Sequence, residues 1–245
     1  MKKLEDTYWE IKRISPREPE LEPLESVKLI EQYRRYMRPV TVKVVLLAES
    51  HVYTTDEDRQ IIIPSIPALP GYPDQYAKFV YCLGYGEKML TNVENHPRRD
   101  GTPQFWQILF SCNNKISSLQ DFAPILKTTP YQERLRNKIN LLNDLKEKGV
   151  WLVDSSIVAL YNHGVKPQNM NEIIDVSWKG YTKSLVLESS PKHVICIGKG
   201  VYGIVKKDLP PDTYEINQPN ARITSDERLA DFQKLSRTCA STIGF

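Results

Sequence analysis

No apolar run in the chain approaches the roughly 18 consecutive residues that a membrane span needs, and the N-terminus, MKKLEDTYWEIKR, has no apolar signal core. A cytoplasmic protein with no membrane partner is therefore expected. Cysteine is scarce: Cys82, Cys112, Cys196 and Cys239 are dispersed, with no CxxC pair. That spacing reads as buried or isolated thiols in a reducing compartment rather than a disulfide framework or a zinc site. Sequence distance alone does not forbid four thiols from gathering around an iron–sulfur cluster. No metal site is supported, and no cofactor is expected. Neither sign of charge dominates: 33 basic and 30 acidic residues leave a net +3. Such a balance permits a nucleic-acid partner without arguing for one, because binding needs the basic residues gathered on one face. Internal repeats and low-complexity tracts are also missing.

What is present is ordinary globular material, 245 residues of which 26% are charged and 40% hydrophobic, enough to bury a core. Residues 14–25 (ISPREPELEPLE) are rich in proline and glutamate and cannot continue a helix past their prolines. Residues 1–25 are therefore assigned to an N-terminal arm or linker, and residues 26–245 to one α/β domain. Ser26 is expected to cap a short helix carrying Val27, Ile30, Tyr33 or Arg34, and Met37 at helical spacing, with Pro39 as the stop. Residues 54–73 are too irregular for either template, and a loop that long is often functional. Tyr131–Lys148 reads as an amphipathic helix closed by Gly149, and residues 225–238 as a helix capped by Ser225.

Four short apolar runs read as strands: residues 42–47, 150–153, 193–197 and 213–216. Helices between them imply right-handed crossovers, hence a three-layer αβα sandwich around a parallel sheet of about four strands. Each run ends in a small polar cluster: AESH, DSS, GKG and NQPN. In a parallel sheet these clusters share one edge and converge on one cleft. Glu49, His51, Asp154 and residues 217–220 thus form one candidate site.

The order of these segments resembles the uracil-DNA glycosylase superfamily. Ala48-Glu49-Ser50 after the first strand is similar to the family's first motif, with Glu49 on its Glu or Gln position. PQFWQIL from Pro103 resembles the Asn-Arg-Phe-Trp segment of the mismatch-specific branch. GVWLVD ending at Asp154 resembles the strand whose final Asn recognises the base. HVICIGKG from His193 resembles the strand before the last motif, and Asn217-Gln218-Pro219-Asn220-Ala221-Arg222 occupies the place of His-Pro-Ser or Asn-Pro-Ser. These anchors span about residues 42–235 and imply a glycosylase-type fold and DNA, single- or double-stranded with an altered base, as partner.

The resemblance implies base excision: the nucleotide is flipped out, or taken from a single strand, and its N-glycosidic bond is hydrolysed. Glu49 falls to water positioning and general base catalysis, while His51 either shares that role or contacts the leaving base. Ser50, Tyr53 and Asp154 fall to base recognition, and Asn217, Gln218, Asn220, Arg222 and Lys199 to DNA contact, with Ile223 as the apolar wedge. Two positions depart from the family. Gln218 stands where His or Asn is common, so no imidazole is present there. Asp154 replaces an Asn that can donate as well as accept; an ionised Asp only accepts, which disfavours a uracil carbonyl and suits an edge that presents donors. A catalytically silent member that binds nucleic acid or a nucleobase is the alternative. Phe105 and Trp106 are expected in the core, Phe79 and Tyr81 beside the pocket, and His96 with Arg98 and Arg99 on a basic loop.

Overall fold

Short runs of Val, Leu and Ile become strands here because β-branched and aliphatic side chains suit a sheet covered on both faces. The computed structural model, which describes residues 1–17, 19–91, 103–162 and 164–245, contains β1 (Val44–Ala48), β2 (Val150–Asp154), β3 (His193–Ile197) and β4 (Tyr214–Ile216). They form one all-parallel sheet in the order β2-β1-β3-β4. Its helices are α1 (Lys2–Ile14), α2 (Leu24–Tyr36), α3 (Asp56–Arg59), α4 (Pro103–Ser111), α5 (Tyr131–Lys148), α6 (Met170–Ser177), α7 (Lys183–Leu187), α8 (Lys199–Val205) and α9 (Ser225–Ile243). A π-helical turn, Trp178–Thr182, joins α6 to α7.

Alternation along the strands sorts the layers. Val44, Leu46, Ala48, Leu152, Ile195 and Ile197 pack with α2, α4, α5 and α9. Val45, Leu47, Trp151, Val153, Val194 and Cys196 face Trp178, α7 and α8. The molecule is thus the expected three-layer α/β sandwich with four parallel strands. Among the described residues no helix is long and apolar enough to cross a membrane. The four thiols are free and buried, with Cys196 on the sheet face opposite Cys82, Cys112 and Cys239.

Several local expectations are corrected. Residues 1–25 are not a bare arm: α1 buries Leu4, Tyr8 and Ile11 against Ile173, Ile174 and Tyr181, because its apolar residues recur at helical spacing. Ser26 does not cap α2, which starts at Leu24 after Pro23; its hydroxyl instead donates to the Thr54 carbonyl at 2.7 Å. Thr224, not Ser225, caps α9, in a reciprocal capping box with Glu227. The irregular residues 54–73 hold α3 and are pinned by buried Ile63, Ile66 and Leu69. His96, Arg98 and Arg99 lie outside the described residues.

Gly149 ends α5 with φ of 98°, and a Cβ there would lie 2.7 Å from the Thr41 carbonyl oxygen and 3.0 Å from Lys43 Cγ. The turn that feeds β2 therefore requires glycine. Gly149→Ala should destabilise the fold by about 1–3 kcal/mol, a drop of roughly 2–10 °C in Tm for a chain of this size. A thermal melt equal to that of the wild type would show that the close approach is not a constraint.

Candidate functional site

The order of the strands decides where the cleft opens. From β1 the chain crosses to β2 through α4 and α5, on one face; from β3 it enters α8, on the other. The loops leaving adjacent β1 and β3 therefore diverge, and a crevice opens between their carboxyl ends. Glu49, Ser50, His51 and Val52 after β1, Ile197 at the end of β3, and Gln218, Pro219 and Asn220 after β4 line it. Gln104 and Phe105 of α4 and Tyr161 complete the wall, and the cavity measures about 210 Å³. A cavity of about 150 Å³ holds a benzene ring, so this one has room for a single planar ring system with polar substituents. A smaller side chamber shares Ser50, His51, Val52 and Phe105 and adds Lys78, Phe79, Val80, Leu152 and Asp154.

Glu49 is the carboxylate on the main cleft wall, half-buried. Burial pushes its pKa up, while hydrogen bonding from Gln218 and Tyr161 and the charge of Lys166 pull the other way. Such a group sits closer to the neutral range than a surface glutamate, as a general base requires. Gln218 is held in place by its own backbone: its carbonyl accepts from Arg228 Nη1 at 2.7 Å. Gly198 (φ 113°) lets it approach, since a Cβ there would come within 2.6 Å of Gln218 Cγ.

His51 and Asp154 have a different setting. Both His51 nitrogens are bound to carboxylates, Nε2 to Glu22 Oε2 at 2.6 Å and Nδ1 to Asp154 Oδ2 at 3.2 Å, with its side chain fully buried. Asp154 Oδ2 also accepts from Arg34 Nη2 at 3.2 Å, and Arg34 Nη1 donates to Glu31 at 2.6 Å. Glu31 in turn accepts from Arg35 at 2.7 Å and from Tyr181 at 2.5 Å. Burial opposes a charge on His51, but Glu22 and Asp154 outweigh it and push its pKa up to about 9. At neutral pH this imidazolium has no lone pair to offer, so the expectation of His51 as a base is corrected: it is a buried structural cation.

The remaining expected residues divide. Ser50, Gln218 and Asn220 line the cleft. Tyr53 does not; it lies near Glu20 and Glu22, where burial first and those acids second push its pKa up to about 12. Asn217 is spent on Asp231, which accepts from its backbone and side chain at 3.1 and 2.9 Å. Lys199 and Arg222 are exposed and outside the cleft wall. Trp106 is core, as expected, whereas Phe105 is half-buried on the cleft. Phe79 lines the side chamber, while Tyr81 is spent in the core, accepting from the Leu152 amide at 2.7 Å. Tyr161, Gln104, Glu22 and Arg34 join the site or its support without having been singled out from the sequence as site residues.

The raised pKa of His51 fixes a sign. A group whose folded pKa lies above its unfolded value of about 6.5 stabilises the fold fully below that value and loses the contribution as pH rises towards 9. The stability difference between wild type and Glu22→Gln should therefore be largest near pH 6, on the order of 3 kcal/mol, and shrink by pH 10. Urea denaturation across that range checks it; parallel pH curves for the two proteins would refute the charged imidazole. Compared with protein-family models, with curated proteins and with solved structures, the chain matches none, and the cleft between β1 and β3 is what its function must be argued from.

Proposed function

We propose that the protein is a DNA glycosylase-like enzyme that takes a flipped, altered base into the cleft and hydrolyses its N-glycosidic bond, as in base-excision repair. The observation that carries this reading is the half-buried Glu49, with its raised pKa, on the wall of a ring-sized cleft beside Phe105. Hydrolysis of O-glycosides commonly needs two carboxylates, one of them an acid for the departing oxygen. Among the described residues Glu49 is the one carboxylate on the main cleft wall. A nucleobase suits that arrangement, since it spreads the charge it takes on leaving over its ring and needs hydrogen bonds more than a strong acid. In this scheme Glu49 orients a water, takes its proton and faces the positive charge that develops on the sugar. Phe105 offers a face to the base, and Gln218 and Asn220 meet the strand at the rim.

DNA is the partner in this reading, met by the exposed Lys166, Lys199 and Arg222. Four free, buried thiols fit a reducing, cytoplasmic setting. One observation favours the alternative, a silent nucleobase-binding module: among the described residues the one imidazole at the site is locked between two carboxylates.

End-labelled single- and double-stranded oligonucleotides, each with one altered base, separate the two. With alkaline scission to reveal abasic sites, wild type should release a base, and Glu49→Gln should be slower by about 10²–10⁴-fold. Activity should fall on the acid side above the usual carboxylate range, because protonated Glu49 cannot take a proton. No abasic site from any substrate at high protein excess would leave the binding module.

A further inference from the structure

The side chamber next to the cleft holds an acceptor whose orientation the protein does not leave to chance. Asp154 is buried, and two cations, Arg34 and His51, both bind its Oδ2. Those cations are themselves fixed, Arg34 by Glu31 and His51 by Glu22. Oδ1 has no hydrogen-bond partner among the described residues, and Asp154 lines the chamber together with Phe79 and Phe105.

We propose that the base seated in the cleft is of the guanine type, with its edge turned into the side chamber of about 30 Å³ and read through the unspent Oδ1 of Asp154. The proposal rests on the cleft being a nucleobase site. A carboxylate oxygen offers lone pairs and no proton, and an Asp pinned on Oδ2 by two charges cannot turn to offer anything else. The complementary edge must donate. Uracil and thymine present one N–H between two carbonyls, and a carbonyl against this carboxylate would leave two desolvated acceptors unpaired. Hypoxanthine presents its N–H beside a C–H. Guanine presents an N–H next to an amino group, and two adjacent donors can converge on one oxygen with two lone pairs. Guanines altered on the five-membered ring keep that edge, so damaged guanines are the class an excising enzyme with this chamber would take.

Equilibrium binding of 9-methylguanine, 9-methylhypoxanthine and 1-methyluracil to the wild-type chain tests this without requiring catalysis. The guanine should bind at least about tenfold more tightly than the hypoxanthine, from which it differs by the amino group, and more tightly again than the uracil. Asp154→Asn should raise 1-methyluracil above 9-methylguanine; should that variant not fold, the wild-type ranking decides alone. Equal or tighter binding of 1-methyluracil to wild type, or no binding of any of the three at millimolar concentration, overturns the proposal. Excision of uracil from DNA would overturn it while leaving the enzyme intact. The expected ranking without release of any base from DNA would uphold it and remove the enzyme instead.

Discussion

Everything at the carboxyl edge of the sheet depends on a row of alternating charges, buried except for the exposed Arg35 at one end. Glu22, His51, Asp154, Arg34, Glu31 and Arg35 follow one another as acid and base, three of each sign, with Tyr181 closing the end. Taking ions out of water costs several kcal/mol apiece, and attraction offsets that only when each charge finds a close, well-directed partner. Here the contacts run from 2.6 to 3.2 Å between the acids and the two buried cations. The row joins the segment before α2, α2 itself, and the ends of β1 and β2. Removing any inner member strands the charges on either side, so these four places are fixed relative to one another by electrostatics as much as by packing.

Apolar packing sets the coarser frame. Odd- and even-numbered residues of β1 enter different layers, and the crossovers that cover those layers depart from β1 and β3 on opposite faces, which opens the cleft between their ends. The polar row then decides which side chains reach that opening. Both ring nitrogens of His51 point into the row, while Glu49, two residues earlier, keeps one side towards the cavity. A single loop thus separates a structural ion from a titrating one.

The sheet was legible in the sequence because each strand is a short apolar run that stops at polar residues, and parallel connection follows from the helices between them. Glu49, Ser50, Gln218 and Asn220 were legible for the same reason: strand ends converge whatever the residues are. The row was not. Glu22 sits among prolines and other glutamates that are not drawn into it, and nothing local marks it as the one whose carboxylate also accepts from the Thr54 and Ala159 amides at 2.9 and 3.0 Å. Arg34 shares its turn of α2 with Tyr33, and both are buried, which periodicity alone could not say. Tyr161 lies in an irregular stretch after β2, where pattern carries no direction. Caps were misplaced by a residue or more because Ser225 and Thr224 are equally good oxygens in sequence, and only the reciprocal contact with Glu227 separates them.

Glu22 also has a kinetic meaning. The amide of Ala159 that it accepts from is 137 residues further along the chain, and Asp154, which shares His51 with it, is nearly as far. The charge partner of Glu22, His51, follows 29 residues later, but β2 and, 137 residues on, the Ala159 amide come far behind, so the row stays incomplete until that length of chain is present. Contacts of such sequence separation form late and slow folding down. The row that backs the cleft is therefore complete only once segments far apart along the chain have met.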